Sequence, residues 1–405
     1  MDQQCRICES HRMTLTIDLG DQPWGNHFLT EEEIGQEPFY PLQVFVCNRC
    51  RSANLGYTVK KEVMFANHTY LSGTTRSLAH HFDCVAKEVD KRFFKNQTKK
   101  AVLDIGSNDG TQLLAYRRLG YEILGVESAK RVAKIANNGG VTTIQAFFNL
   151  ALAKTIPLRF DVINASGVFF HLEELHSVTE AIKFLLKEEG VFVVQFLYMG
   201  SIFENKAFDQ IYHEHLLYYT LKSIETLLNM HRLALFDAYW SSIHGGSIIG
   251  FVGHQGGRGM TQRLEQLRAK EEIKGYNELQ SYKNLAREMI ILKQENRAYL
   301  EAKKKEGKIL YGMGAPVKGN TLLNYFDIGR DFLDCLVEKN PLRKGLYSPG
   351  KHLPVVLEDE LSSPPDIYYV LAWNFKDEIL NNHRHLIDQG VEFYFPIKQA
   401  GLCVF

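Results

Sequence analysis

An excess of either charge is missing from these 405 residues: 47 basic and 47 acidic side chains leave a formal net charge of zero. Proteins whose main partner is a phosphate backbone carry a basic surplus, so nucleic acid is disfavoured as a partner. Nor is there a run of about 18 apolar residues, the length a membrane-spanning helix needs. The N-terminus, MDQQCRICES, is polar and reads as neither signal peptide nor anchor. Cysteine is scarce, seven in the chain, too few for a disulfide scaffold. Internal repeats and low-complexity tracts are lacking as well. What is present is apolar material: 45% hydrophobic residues, 12% aromatic and only 23% charged, which excludes a largely disordered chain. At about 100–200 residues per domain, the length predicts two to four domains. The expectation is a cytoplasmic, multidomain protein with no membrane partner.

Four of the cysteines form two pairs, Cys5-Arg-Ile-Cys8 and Cys47-Asn-Arg-Cys50. Each spacing lets both thiolates of one turn reach a single ion, and two such knuckles complete a tetrahedral sulfur shell suited to Zn2+. The alternatives are two unrelated surface turns, or a redox pair, which would need a βαβ context that is missing here. A closed four-thiolate site has no open position for water, so it predicts structural zinc, not catalysis. Cys84, Cys335 and Cys403 read as ordinary reduced thiols.

From Lys99 onward strands and helices alternate. AVLDIG (101–106) precedes a helical pattern, YEILGVE (121–127) follows, and FDVINAS (160–166) and GVFVVQF (190–196) are further buried strands. This alternation predicts a doubly wound parallel α/β sheet. Between Arg263 and Lys305 the chain is highly charged, with Tyr282, Leu285, Met289, Leu292 and Tyr299 on one helical stripe. From Lys308 a second βαβ rhythm begins. The predicted plan is a zinc-binding domain (1–66), an α/β domain (67–258), then linking helices with a C-terminal Rossmann-like α/β domain (259–405).

The loop Asp104-Ile-Gly106-Ser-Asn108-Asp-Gly110 follows the first of these strands. Gly106 permits a tight turn with close backbone approach, and Asn108 tolerates a positive φ better than most residues. The dinucleotide pattern G-x-G-x-x-G fails at both later glycines, which disfavours NAD. The loop instead resembles the first motif of S-adenosylmethionine methyltransferases. Glu127, ending the second strand 21 residues after Gly106, is placed to accept from ribose hydroxyls. Gln195, at the end of a further strand, joins Asp104, Gly106, Asn108 and Glu127 in the predicted cofactor set.

The densest ionisable cluster is Asp209-Gln-Ile-Tyr212-His213-Glu214-His215-Leu-Leu-Tyr218-Tyr219. Zinc hydrolases need two histidines one helical turn apart, and here they are two residues apart, so a catalytic metal is disfavoured. A solvated polar face is the bland alternative. A histidine suited to proton abstraction at neutral pH is the sharper one. His171 follows the strand FDVINAS at the sheet edge where α/β folds place ligands, and Tyr70 lies in the turn HTYLSGTT.

With these motifs in hand, the chain resembles end to end the nucleotide-sugar C-methyltransferases that build branched deoxysugars. The paired CxxC module, LDIGSNDGT, IYHEH with YYT, IHGGS (243–247), GAPVKGNTLLNY (314–325) and LAWNF (371–375) carry the resemblance. It implies S-adenosylmethionine as cofactor and, as substrate, a dTDP-linked 4-keto-6-deoxyhexose methylated at C3. It matches Tyr70, His171, Tyr212, Glu214 and His215 to the family's site residues, His215 being the expected base. Glu214 is expected to orient that imidazole or the chain beside it. Three departures stand out: Ser128 where proline is common, Gly167 where asparagine is usual, and Val317 for alanine.

In the C-terminal domain Lys318 and Asn320 follow a turn, and Asn340 and Arg343 lie in the loop NPLRKGLYSPGKH. These four are candidates for holding a nucleotide diphosphate. From Lys339 to Leu357 there are four basic residues and no acidic one, an excess that suits a single diphosphate. A solvated basic loop explains the same residues. Two rival functions remain: a zinc-ribbon methyltransferase acting on RNA or protein, and a non-catalytic S-adenosylmethionine-fold binding protein. A monomer is compatible with everything above.

Overall fold

The computed structural model describes residues 3–65, 71–74 and 76–397. Tyr70 and Cys403 lie outside the described residues. Three sheets organise the described residues.

The first sheet is antiparallel. Strand β1 (Met13–Pro23) pairs with β2 (Phe39–Cys47), which pairs with β3 (Ala53–Leu55). Alternation explains β2: Leu42, Val44 and Val46 point inward at 1% exposure or less. Its edge is completed by a two-residue strand from far along the chain, Leu217–Tyr218, the ninth in chain order, which places Ala53 opposite Tyr218. The N-terminal sheet thus reaches into the segment that directly follows His215.

The central sheet is built on β4 (Lys100–Ile105), flanked in parallel by β5 (Tyr121–Glu127) and β6 (Thr143–Gln145) on one side. On the other lie β7 (Phe160–Ser166) and β8 (Leu186–Leu197), also parallel. Strand β11 (Ser247–His254) then runs antiparallel between β8 and β10 (Leu233–Ser241). β4 and β7 are buried along almost their whole length, which is why they read as continuous apolar runs. Chain order reverses between β4 and β7, so the loops after these two strands open a crevice at their carboxyl ends.

Two helices, Gln262–Ile273 and Leu279–Lys305, lead to the C-terminal domain. On the second, Tyr282, Leu285, Met289 and Leu292 are buried as the stripe predicts, while Tyr299 is half-buried and Leu300 takes the inward place beside it. The C-terminal sheet is wholly parallel: β12 (Leu310–Met313), β13 (Leu336–Glu338), β14 (Val355–Leu357), β15 (Ile367–Val370) and β16 (Glu392–Tyr394). Its order, β14-β13-β12-β15-β16, puts the reversal between β12 and β15. The N-terminal module is pinned across this domain. Leu29 bridges to Tyr347, Glu37 accepts from His352 at 2.6 Å, and the Asn320 amide donates to the Gly25 carbonyl at 2.7 Å. No helix among the described residues is long and apolar enough to cross a membrane.

Candidate active site and metal centre

The four paired cysteines converge. Sγ of Cys5 lies 3.5 Å from that of Cys50, and Cys8 stands 3.5 Å from Cys47, all four sulfurs falling within 4.8 Å of one another. Zinc–sulfur bonds of about 2.3 Å in a tetrahedron put neighbouring sulfurs about 3.8 Å apart, so the cluster fits the ion. Backbone N–H groups of Cys8 and Cys50 turn toward the first thiol of their own knuckle, Cys5 and Cys47. Arg6, inside the first knuckle, donates from its backbone to the Asn54 side chain at 2.9 Å and from its guanidinium to Thr58 at 2.5 Å. The metal knuckle is therefore tied to β3.

At the crevice of the central sheet, the turn after β4 has positive φ at Gly106 (69°), Asn108 (52°) and Gly110 (84°). A Cβ on Gly106 would sit 2.6 Å from Val168 Cγ2, so the backbone can pass only as glycine. Asn108 takes the left-handed turn with its amide oxygen accepting from Ser72 N–H and Asp109 N–H, both at 2.9 Å. Ser72 and its neighbour Gly73, which donates to Asp109, anchor the Ser-Gly turn that follows position 70. The Glu127 carboxylate accepts from Asn108 N–H at 3.0 Å and Ala129 N–H at 2.8 Å, fixing its position at the end of β5. Asp104 is buried, and burial together with the Glu127 charge pushes its carboxyl well above the usual range. Two acceptors at a glycine-lined turn suit a ligand that brings hydroxyls and an ammonium. S-adenosylmethionine has both, so the residues fit it. Gln195, at the carboxyl end of β8, meets His81 Nε2 at 2.8 Å.

The segment 209–219 sits where the three sheets meet. His215 is 4% exposed, and its Nδ1–H donates to the Gln210 carbonyl at 2.8 Å. That bond selects the tautomer with the lone pair on Nε2. The Tyr212 ring lies 3.8 Å from it, Phe170 4.6 Å and His171 5.1 Å, centroid to centroid. Burial, and secondarily His171, pushes its imidazolium well below 6.5, so the ring is neutral at physiological pH. His171 donates from Nδ1 to the Glu214 carbonyl at 2.5 Å. Glu214 therefore orients His171 through its backbone, while its carboxylate accepts the Trp24 indole N–H at 2.9 Å. Of the two roles expected of Glu214, holding the His215 imidazole or the chain beside it, the hydrogen bond to the His215 ring comes from the Gln210 carbonyl. His213 is turned away, with Nε2 directed at the Tyr40 carbonyl at 3.3 Å.

The C-terminal domain faces the same cleft through the loops after β12 and β15. Lys318 is half-buried, its ammonium 4.3 Å from the Trp373 ring and donating to the Asn374 amide oxygen. Burial pushes it down to about 8, with Asp209 opposing. Of the other three candidates, Asn320 has its amide engaged with Gly25, and Asn340 caps the turn at Pro341 by accepting from Leu342 N–H at 3.0 Å. Arg343 donates to the Ala315 carbonyl and lies over Phe28 at 4.5 Å, with Glu338 3.5 Å away. The local basic excess is not free either. Lys339 pairs with Glu358, Lys344 with Glu360, and Lys351 with Asp327. Acids just past the run, or from the preceding helix end, neutralise what the window 339–357 leaves positive.

Several residues of this cleft were not in the predicted set. His244, in IHGGS, holds φ at 55° just ahead of two glycines, and its ring is exposed. Gln210 spans the cleft, its side chain donating to the His244 carbonyl at 3.0 Å while its own carbonyl holds His215. Asp209 accepts the Trp373 indole N–H at 2.6 Å. The IHGGS motif and the charged Asp209 amid apolar neighbours were the signals available; the main-chain role of Gln210 left none.

Comparison with known proteins follows this division. Residues 5–65 match the family model described as "Putative zinc binding domain", 78–233 a methyltransferase domain, and 242–398 a C-methyltransferase C-terminal domain. The last begins before β11, which pairs into the central sheet. The C-methyltransferase NovU of Streptomyces niveus is 28% identical over 402 residues, covering 98% of this chain and 96% of its own. Among solved structures, a magnesium protoporphyrin IX methyltransferase from Synechocystis with bound SAH is 14% identical over 43% of this chain and 83% of its own, with a TM-score of 0.35. An S-adenosylmethionine-dependent methyltransferase from Clostridium acetobutylicum is 15% identical over 44% and 98%, also at 0.35. The three matched segments follow one another in the order zinc binding, methyltransferase and C-methyltransferase C-terminal domain, and over nearly its whole length the chain is similar to a C-methyltransferase.

Proposed function

We propose that the protein methylates C3 of a nucleotide-linked 4-keto-6-deoxyhexose, with His215 as the base. The observation that carries this reading is the state of His215: neutral, buried, and held by Gln210 in the tautomer that leaves Nε2 free to accept a proton. A sugar carbon becomes a nucleophile only when a neighbouring ketone acidifies its C–H bond. His215 Nε2 takes the C3 proton, the electron pair of that bond moves into the C3–C4 bond, and negative charge settles on the C4 oxygen. That charge offsets the cost of a buried imidazolium. Tyr212, whose ring lies tilted against His215, and Tyr70 are the hydroxyl donors assigned to the oxyanion. His171, held at Nδ1 by the Glu214 carbonyl, is assigned to assist at the oxyanion. Asp104, Glu127 and the turn at Gly106–Asn108, with Gln195, hold S-adenosylmethionine, and when bound it supplies a methyl group made electrophilic by its sulfonium. Lys318 faces the substrate's negative charge. NovU, similar over its full length, is named a C-methyltransferase, which agrees with carbon as the acceptor.

The test is a panel of nucleotide 4-keto sugars with S-adenosylmethionine, products read by mass spectrometry, beside solvent-deuterium uptake at C3 without cofactor. His215→Gln should keep its fold and cofactor affinity and lose roughly 10²–10⁴-fold in turnover and in exchange. Near-normal turnover in that variant removes His215 as the base. No methylation or exchange with any keto sugar removes the substrate class.

A further inference from the structure

Asp209 is fully buried, and its Oδ2 accepts the Trp373 indole N–H at 2.6 Å. Oδ1 meets no side-chain donor among the described residues, and the Lys318 charge with the backbone N–H groups of Asp209 and Gln210 favours the ionised carboxyl against burial. A buried carboxylate persists only with such compensation. The group that Asp209 acts on is Lys318, across the domain boundary. That ammonium is met by the face of Trp373 at 4.3 Å and by the amide oxygen of Asn374, not by a paired carboxylate. An indole whose N–H donates to a carboxylate has a more electron-rich ring, which strengthens its hold on a cation. Asp209 therefore reaches Lys318 twice, through space and through the Trp373 ring.

The same segment serves the base. Gln210, the next residue, holds His215 by its carbonyl and the His244 backbone carbonyl by its side chain. We propose that Asp209 and Trp373 are positioning residues that keep Lys318 charged and aim its ammonium into the cleft lined by His215. The C-terminal domain would then contribute the cation that meets the substrate's negative charge. The substrate half of this statement rests on the keto-sugar reading above; the Asp209–Trp373–Lys318 coupling does not.

The charged and titratable groups facing Lys318 are Asp209, from the segment before Tyr212, and His244, from the loop after β10. Trp373 and Asn374, from the loop after β15, bring no charge. Asp209 holds the lysine up against burial, so removing its charge should lower the lysine further. The experiment is pH-dependent acetylation of Lys318 by acetic anhydride in the full-length zinc-loaded protein, read by peptide mass spectrometry. In Asp209→Asn the labelling midpoint should fall by about one pH unit, the size of a nearby opposite charge. Trp373→Phe, which keeps a ring but loses the N–H, should move it the same way by less. Circular dichroism and S-adenosylmethionine binding identify folded variants. An unmoved midpoint in folded Asp209→Asn overturns the coupling; should that variant not fold, an unmoved midpoint in Trp373→Phe does so. With an accepted substrate, the alkaline limb of kcat/KM should move to lower pH in Asp209→Asn and return when Lys318→Arg is added. A limb that stays put overturns the role toward substrate. Labelling uses no substrate, so its outcome is separate from whether any keto sugar is methylated.

Discussion

Gly106 and Gly167 stand on the two loops that open the central crevice, and they make opposite demands. Both hold positive φ, 69° and 73°. At Gly106 a Cβ would press on Val168 at 2.6 Å, whereas at Gly167 nothing lies within 4 Å of one. Backbone sets the requirement at Gly167, space as well as backbone at Gly106. Asparagine tolerates the left-handed region, so Gly167 and the asparagine that the family resemblance leads one to expect there meet the same conformational need. Gly167→Asn should therefore change stability by no more than about 0.5 kcal/mol in denaturant unfolding. Gly106→Ala adds a left-handed penalty of roughly 1–2 kcal/mol to the clash, and it should weaken S-adenosylmethionine binding by at least about tenfold, or about 1.4 kcal/mol, in calorimetry. Wild-type affinity in Gly106→Ala would mean that this turn is not the cofactor's seat.

At the scale of elements, the pairing of β3 with Leu217–Tyr218 makes the metal module part of the active-site wall. Leu55 N–H donates to the Leu216 carbonyl at 2.9 Å, and Leu216 N–H to the Phe170 carbonyl at 2.8 Å, beside His171. Cys50 and Ser52 precede β3 directly, so loosening the thiolate cluster frees its start. Zinc removal by a chelator, or Cys50→Ser, should lower the Tm and raise hydrogen exchange at residues 52–55 and, with them, at 216–219. Unchanged protection at 216–219 after zinc loss would separate the module from the site. This pairing was illegible in the sequence, because a two-residue strand has no periodicity and its partner is more than 160 positions away. The cysteine pairs, the strand–turn–helix at Asp104–Thr111 and the stripe on the long helix were legible, since spacing and period alone define them. What sequence reading missed lies in main-chain acceptors: the Gln210 carbonyl that fixes His215, and the Glu214 carbonyl that fixes His171. The basic loop misled for a different reason. Its partners Glu358 and Glu360 begin one residue past the run, and Asp327 joins from the preceding helix end, so a local sum overstated a charge that folding cancels.

Over the whole molecule, equal numbers of acids and bases say little about how stability responds to pH, because burial singles out one residue type. His81, His213, His215 and His231 are all pushed down by burial, His213 to about 4. Above pH 6.5 such a histidine is neutral in folded and unfolded chains alike and contributes nothing to the pH dependence. Below 6.5 the unfolded chain takes up protons that the folded one refuses, so stability falls as pH drops from 6.5 toward 4. Asp104, Asp209 and Glu225 work the other way: their carboxyls are pushed up, and acidification relieves their burial. Three acids oppose four histidines, and carboxyls that hydrogen bonds and ion pairs pull down, Glu37, Asp237 and Glu358 among them, add to the loss on acidification. The Tm should therefore decline steadily between pH 7 and pH 5, with a slope of about 1.4 kcal/mol per pH unit for each proton taken up only by the unfolded chain. His213 gives the cleanest dissection, since it is 1% exposed and turned from the cleft toward the Tyr40 carbonyl. His213→Gln keeps a donor for that carbonyl and removes one titrating ring. It should flatten the decline while leaving turnover near that of the wild type. A Tm that holds level from pH 7 to pH 5 would show that these imidazoles are solvated enough to charge in place.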